Sequence, residues 1–570
     1  MKDFLNVKTL RVALYAGIFV VSSLLFFDWE VLAAQEAQTA QAALAVQAKV
    51  DNGAPNLALT ASAQGTNAPA ALTPAVPSKF SQTAGSLITV DTPLYTLKID
   101  PKGGDIVFAS LKNYQQGLQN SQPFVLLNTD SNSLYYIVQS GLVTSDKNIP
   151  SSIPFTSDQK VYTLTGTQPL EVNLTWRSPS NVLVTKTYTF YPNQYTLNVN
   201  YALKNQGAEP LTTRFYGELS RMPPNEPSAF WNSYTNYVGA AISYPDNHYQ
   251  KITFANMVSA PLNQTAASGW VAMLQHYFIT AWIPAGHEAI TQFSSTSNNV
   301  YSIGMANASI TIPSGQSANT GATLYLGPAI AEQLGVVAPY LDKTVDYGWL
   351  WFISELIFQV MQWVHHYVGN WGVAIILVTV LIKLMFYPLS AKSFRSMARM
   401  RELQPKIAEL RKKFGDDRQK LGTATMELYR KEKVNPLGGC LPMLVQIPVF
   451  IALYWVIMES VELRQAPFFG WIHDLSAKDP YFILPVLMGL SMFVQQRLSP
   501  KPPDPMQAKL MMALPIVFTV MFLTFPSGLV LYWFVNNCLS VLQQWWVTRQ
   551  TLKQDGFKKL SEHPSKWHGK

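Results

Sequence analysis

The sequence predicts a polytopic α-helical membrane protein that carries one large β-sandwich domain on the outer side of the bilayer. Three observations carry that expectation. From about Val345 onward, long apolar blocks recur between short polar or basic connections. Residues 85–340 instead alternate apolar and polar side chains with period 2, the mark of strands with one buried face. The block 391–436 holds 13 Lys/Arg against six Asp/Glu, and the positive-inside tendency places such a block in the cytoplasm.

Composition narrows the class. The 570 residues are 48% hydrophobic and 13% charged, with a net charge of +8 that is concentrated locally rather than spread along the chain. Both cysteines, Cys440 and Cys538, lie in apolar segments, so the outer domain folds without disulfides even though it is exported. Their spacing, and that of His248, His276 and His287, suggests no metal site, and no cofactor is expected.

Taken in order, residues 1–27 carry Lys2, Lys8 and Arg11 before the apolar run Val12–Phe27. A signal peptide and an uncleaved anchor both fit. The 16-residue run and the poor cleavage match at Leu32-Ala33-Ala34 favour an anchor with a cytoplasmic N-terminus. Residues 28–84 are rich in Ala, Gln, Thr, Ser and Pro and read as a flexible linker. Residues 85–343 form the β domain. Its clearest hairpin sets Val182, Val184, Lys186, Tyr188 and Phe190 against Tyr195, Leu197, Val199, Tyr201 and Leu203, joined by a turn at Tyr191-Pro192-Asn193-Gln194. A second joins Leu94–Ile99 to Ile106–Phe108 through Pro101-Lys102-Gly103-Gly104. The domain reads as a scaffold rather than a sugar-processing enzyme, because no pair of acidic residues can be placed in one site.

In residues 344–368, Glu355, Gln359, Gln362 and His366 form one polar stripe opposite Ile353, Ile357, Val360 and Val364, as in a helix lying in the membrane interface. Residues 369–390 form one span, WGVAIILVTVLIKLMFYPLS from Trp371, with the single charge Lys383. The block 391–436 reads as a cytoplasmic helical hairpin. Met400, Leu403, Ile407, Leu410 and Phe414 form one seam, Leu421, Ala424 and Leu428 another, and Glu402–Lys406 is one of the expected i,i+4 pairs. Its basic faces suit anionic lipid head groups or ribosomal RNA, and composition does not choose between them. Residues 437–547 supply four more spans, and 548–570 form a basic cytoplasmic tail. The expected total is six spans with both termini in the cytoplasm.

An intramembrane charge is costly and marks a functional site by default. Lys383 lies seven residues from Ser390, roughly 10 Å from the cytoplasmic end of its helix. Gln446 lies roughly 13 Å into its span, and Asn536 and Asn537 roughly 15 Å before the last span ends. Thr379 is one turn from Lys383 on the same face. Singly, the lysine is equally able to snorkel to the interface, and the asparagines to act as helix–helix glue. Their common depth favours a hydrated, positively charged pocket open to the cytoplasm and closed outside, suited to brief capture of a polar or acidic segment crossing the membrane. No GxxxxGK[ST] loop, HExxH or nucleophile elbow occurs, which argues against an ATPase, metalloprotease or hydrolase. One lysine without an intramembrane acid is thin for a proton relay.

Three runs carry a resemblance. VNPLGGCLP at 434–442, VELRQAPFFGWIHDLSAKDPYFILPVLMG at 461–489 and FPSGLVLYW at 525–533 resemble the YidC/Oxa/Alb membrane protein insertases, with a close match over about 345–547. The tethered β domain resembles the Gram-negative type. The resemblance implies a five-helix insertase core and a periplasmic β-super-sandwich similar in fold to sugar mutarotases. It implies a non-enzymatic insertase and chaperone in the bacterial inner membrane, acting on nascent membrane proteins alone or with the Sec translocon and its accessory subunits. Ribosome contact through the basic tail and hairpin, and contact with membrane lipids, are also implied. Lys383 aligns with a groove cation that is commonly Arg in bacterial relatives, so the charge is kept and the planar fork is lost. Thr379 and Trp533 match positions expected near the passing substrate. The competing class is a small-solute transporter or sugar-modifying envelope protein.

Overall fold

Alternation of apolar and polar residues over most of 87–328 builds two stacked sheets, one with eleven strands and one with nine among the described residues. The structure is a computed structural model describing residues 87–129, 135–224, 237–286, 288–414, 417–432, 434, 441–499 and 505–562. The expected anchor at 1–27, the linker to residue 84 and the end of the basic tail lie outside these residues. The expected hairpin pairs Val182–Phe190 with Thr196–Asn205 in the register Val199↔Tyr188. The second pairs Tyr95–Asp100 with Asp105–Gly117 across positive-φ residues Gly103 and Gly104. The inward sets of the two sheets meet in one core, where Tyr201 packs on Phe215 and Phe215 on Trp282.

Lys186 places a charge at an inward position. Lys186 is fully buried, and its ammonium donates to the carbonyls of Gly104 at 2.8 Å and of Gly103 and Ser140 at 3.2 Å each. All three of its N–H groups are thereby satisfied by oxygen. Gly104 cannot be replaced without strain: it holds φ +68, and a Cβ there would lie 2.9 Å from Cδ of Lys186. Burial pulls the Lys186 amine below its ordinary range and pushes the neighbouring Asp105 carboxyl above its own.

Two short helices belong to this domain, α1 (Phe254–Ser259) and α2 (Ala331–Val337). Beyond it, α3 (Trp351–Val368) buries Ile357, Met361 and Val364 and leaves Trp351, Phe352, Trp363 and Tyr367 exposed. The single helix expected through Ser390 divides. α4 (Trp371–Met385) and α5 (Tyr387–Glu402) meet at Phe386 with a 68° bend. Pro388 sits in the first turn of α5 and has no N–H to continue the ladder of α4. The basic block continues as α6 (Gln404–Phe414) and α7 (Arg418–Lys431), packed around Met400, Leu403, Ile407 and Tyr429. Lys406 pairs across the hairpin with Glu432 at 2.6 Å, not with Glu402 as the spacing predicts, because the helix breaks at Leu403 between α5 and α6. α8 (Leu441–Glu459), α9 (Ile483–Leu498), α10 (Pro505–Phe522) and α11 (Ser527–Glu562) follow. Among the described residues no single helix is long and apolar enough to cross a membrane, and only the bent pair α4–α5 meets that test jointly.

The β domain meets the helices at the end of α8. His276, at the tip between strands Trp270–Gln275 and Phe278–Pro284, holds φ +50 and donates from Nε2 to the Met458 carbonyl at 2.8 Å. This satisfies one of the carbonyls left unpaired where a helix ends. Arg464 donates to the Gln115 carbonyl at 2.8 Å and lies over the rings of Phe124 and Phe278.

Two predictions follow from these buried polar contacts. Lys186→Ala leaves buried carbonyls without a donor beside a new cavity, and should lower the β-domain melting temperature by roughly 5–10 °C in calorimetry of the full chain. Burial, reinforced by Arg464 against the Met458 carbonyl, depresses His276 from 6.5 to about 4. Between those values the unfolded chain takes up a proton that the folded chain refuses. The stabilisation is therefore complete above pH 6.5 and lost as pH falls toward 4, with a full swing of about 3 kcal/mol. His276→Asn should flatten the difference between melting temperatures at pH 7.5 and 4.5 in micelles.

Candidate functional site

The site is framed from the N-terminal end of α4. Asn370 caps α4 by accepting from the Val373 N–H at 3.0 Å, while its amide donates to the Pro467 carbonyl at 3.2 Å. A Cβ on Gly372 would fall 2.1 Å from the Phe468 ring, so only glycine lets the loop close over the start of α4. The turn at Pro526-Ser527-Gly528 is tied to the same loop. The Ser527 N–H donates to the Ala477 carbonyl at 2.7 Å, and the Gly528 N–H to that of Leu475 at 2.9 Å. Asp479, fully buried, accepts from the Trp471 indole at 3.0 Å and from the Leu484 N–H at 2.7 Å, which caps α9. These bonds hold the N-terminal ends of α4, α9 and α11 together.

Toward the other end, a cavity of about 30 Å³ opens between α4, the start of α5, α8 and α11. Its polar lining is Lys383, Ser390, Gln446 and Asn536, and Ile382, Phe386 and Val449 are among its apolar walls. Lys383 donates from Nζ to the Ser540 hydroxyl at 2.7 Å, and Ser540 donates to the Asn536 carbonyl at 2.7 Å. Gln446 donates from its amide to the Tyr532 hydroxyl at 3.4 Å. The space holds a water molecule or two and is far smaller than a polypeptide segment.

Of the six residues singled out by depth or by the resemblance, Lys383, Gln446 and Asn536 line one cavity. The other three stand elsewhere. Asn537 is buried and donates to the Ser491 hydroxyl of α9 at 3.1 Å. Thr379 is buried and donates to the Ile375 carbonyl of its own helix at 2.6 Å. Trp533 packs edge-on to Phe450 at 4.6 Å and against Phe522 at 5.1 Å, in an aromatic cluster between α8, α10 and α11. Sequence reasoning overlooked Ser540 and Tyr532. Ser540 had a signal, since it lies one turn beyond Asn536 on the same helical face. Tyr532 had none, because a tyrosine in an apolar run reads as core.

A helical bundle with an internal cation, joined to a large β-sandwich, makes a protein of two parts. Comparison with known proteins assigns both. The family described as "60Kd inner membrane protein" matches residues 363–554, and "YidC periplasmic domain" matches residues 87–360. The chain is 50% identical over 472 residues to "Membrane protein insertase YidC" of Coxiella burnetii (strain RSA 331 / Henzerling II), covering 81% of this chain and 83% of that one. It is 45% identical over 561 residues to the protein of the same name from Hahella chejuensis (strain KCTC 2396), covering 95% and 97%. A solved structure, "Active YidC insertase crystal structure with the first transmembrane domain resolved", aligns with 81% of this chain and 92% of its own at 17% identity and a TM-score of 0.37. The assignment rests on the sequence relatives. The chain belongs to the YidC family of membrane protein insertases, an inner-membrane family with a periplasmic domain, and is not an enzyme.

The Asn537–Ser491 bond joins α11 to α9 away from the cavity. Asn537→Ala should cost about 1 kcal/mol of bundle stability, and a double-mutant cycle with Ser491→Ala in detergent unfolding should return most of that as coupling.

Proposed function

We propose that this chain inserts nascent membrane proteins by receiving their polar segments in a groove centred on Lys383, Gln446 and Asn536, open to the cytoplasm and closed outside, and by releasing them into lipid. Thr379, Trp533 and Asn537 pack outside this cavity and in this reading join the groove only when the bundle widens, Trp533 then offering an aromatic wall. The single observation that carries the reading is the placement of the Lys383 ammonium. It is turned into the bundle beside two amide side chains, and the group it meets is a hydroxyl rather than a carboxylate. A cation without a counter-ion keeps its attraction for an acidic client, and such binding in a hydrated pocket is weak enough to reverse. The bonds across the loop 466–482 support closure on the outer side.

A cavity that holds only water requires the bundle to widen when a client arrives. The 68° break between α4 and α5 lies beside Lys383 and provides a hinge for that movement. In this reading the chain has six spans with both termini in the cytoplasm. It acts as insertase and chaperone alone or beside the Sec translocon and its accessory subunits. The hairpin α6–α7 receives clients, and the basic tail meets the ribosome. The exposed aromatic face of α3 lies against membrane lipids.

Lys383→Glu reverses the attraction. Insertion of a small two-span protein with an acidic outer loop should fall about tenfold or more at equal protein level, read by protease protection of the loop. Normal insertion by that variant would remove the groove's proposed role.

A further inference from the structure

We propose that Ser540 is a positioning residue that holds the Lys383 ammonium inside the bundle and so sets the preference for acidic client segments. This rests on the groove reading above and names the residue through which its charge acts. The geometry is specific. Ser540 is buried, and its hydroxyl proton is committed to the Asn536 carbonyl at 2.7 Å. Its lone pairs are thereby left to accept from Lys383, which they do at 2.7 Å.

The alternative place for the ammonium is the cytoplasmic interface. A lysine stem is long enough to snorkel there, and water would solvate the charge fully. On α4 the residues after Lys383, Leu384 and Met385, are exposed and apolar, so nothing on that side of the helix anchors the side chain. Ser540 opposes the escape by supplying oxygen at the right depth. It does so without a negative charge, so the lysine keeps its full charge. Two of the three ammonium donors remain for water or a client carboxylate in the adjoining cavity. A carboxylate at position 540 would hold the lysine equally well and cancel it. A methyl group would neither hold nor cancel it.

The test uses the full chain in proteoliposomes and two reporters that differ only in the translocated loop, acidic in one and with Asn and Gln replacing Asp and Glu in the other. The readout is the ratio of acidic to neutral insertion. Ser540→Ala should lower that ratio about tenfold, Ser540→Thr should restore it, and Ser540→Asp should lower it at least as far as Ala. Lys383→Met is measured in parallel. A ratio that Lys383→Met changes and Ser540→Ala does not overturns the role of Ser540 alone. A ratio that Lys383→Met leaves unchanged overturns the groove charge itself. Equal loss of both reporters in Ser540→Ala and Ser540→Thr marks Ser540 as merely structural and overturns the proposal.

Discussion

A cation taken out of bulk water must be surrounded by oxygen atoms, and this constraint shapes both halves of the molecule. In the β domain it is met in full. Lys186 donates to three backbone carbonyls in the core, and a glycine turn with positive φ brings two of them within reach. That arrangement is closed and serves to join the sheets. In the helical bundle the constraint is met in part. Among the described residues Lys383 has one protein oxygen within hydrogen-bond reach, on Ser540, and it borders a small cavity whose lining includes two amide side chains. The residual demand for oxygen is what a passing carboxylate would satisfy. The two lysines are the same residue in opposite regimes, one saturated and structural, the other under-coordinated and available.

The same asymmetry runs along the bundle axis. At the N-terminal end of α4, Asn370, Ser527 and Gly528 donate to the loop 466–482, and Asp479 within that loop accepts from Trp471 and Leu484. Toward the C-terminal end of α4, the helix ladder breaks at Phe386 and the polar groups face a cavity. α8 connects the regions. Gln446 reaches the Tyr532 hydroxyl near one end, and the Met458 carbonyl accepts from His276 of the β domain at the other, roughly 18 Å away along the helix. The β domain is thus attached to a helix that also lines the cavity, while Arg464 holds a second point of attachment.

Periodicity and depth are local properties of a chain, and they were legible. The strand alternation around Lys186 marked its sheet face, and the register Val199↔Tyr188 follows from it. The hydrophobic seam Met400, Leu403 and Ile407 marked the hairpin core. Depth along a helix placed Lys383, Gln446 and Asn536 at one level, and they share one cavity. Depth says nothing about the direction in which a side chain leaves its helix. Asn536 and Asn537 lie at the same depth but about 100° apart around the axis, so one faces the cavity and the other Ser491 of α9. Lys406 was placed beside Glu402 by spacing, yet Glu432 of the opposing arm lies closer once the hairpin folds.

From sequence alone came the two-part architecture, the pairing of the clearest β-hairpin, the charge within an apolar helix and the resemblance of three runs to the insertases. Each of these is written in neighbouring residues, because burial on one face imposes a period and a costly charge stands out in an apolar run. Tertiary structure alone decided which polar groups meet. The Lys383–Ser540 bond joins residues 157 positions apart, and His276–Met458 joins residues 182 apart. The 68° bend at Phe386 and the small size of the cavity beside it are set by how the helices pack. Contacts of this kind depend on how helices rotate and pack against one another, and no local pattern in the chain encodes that.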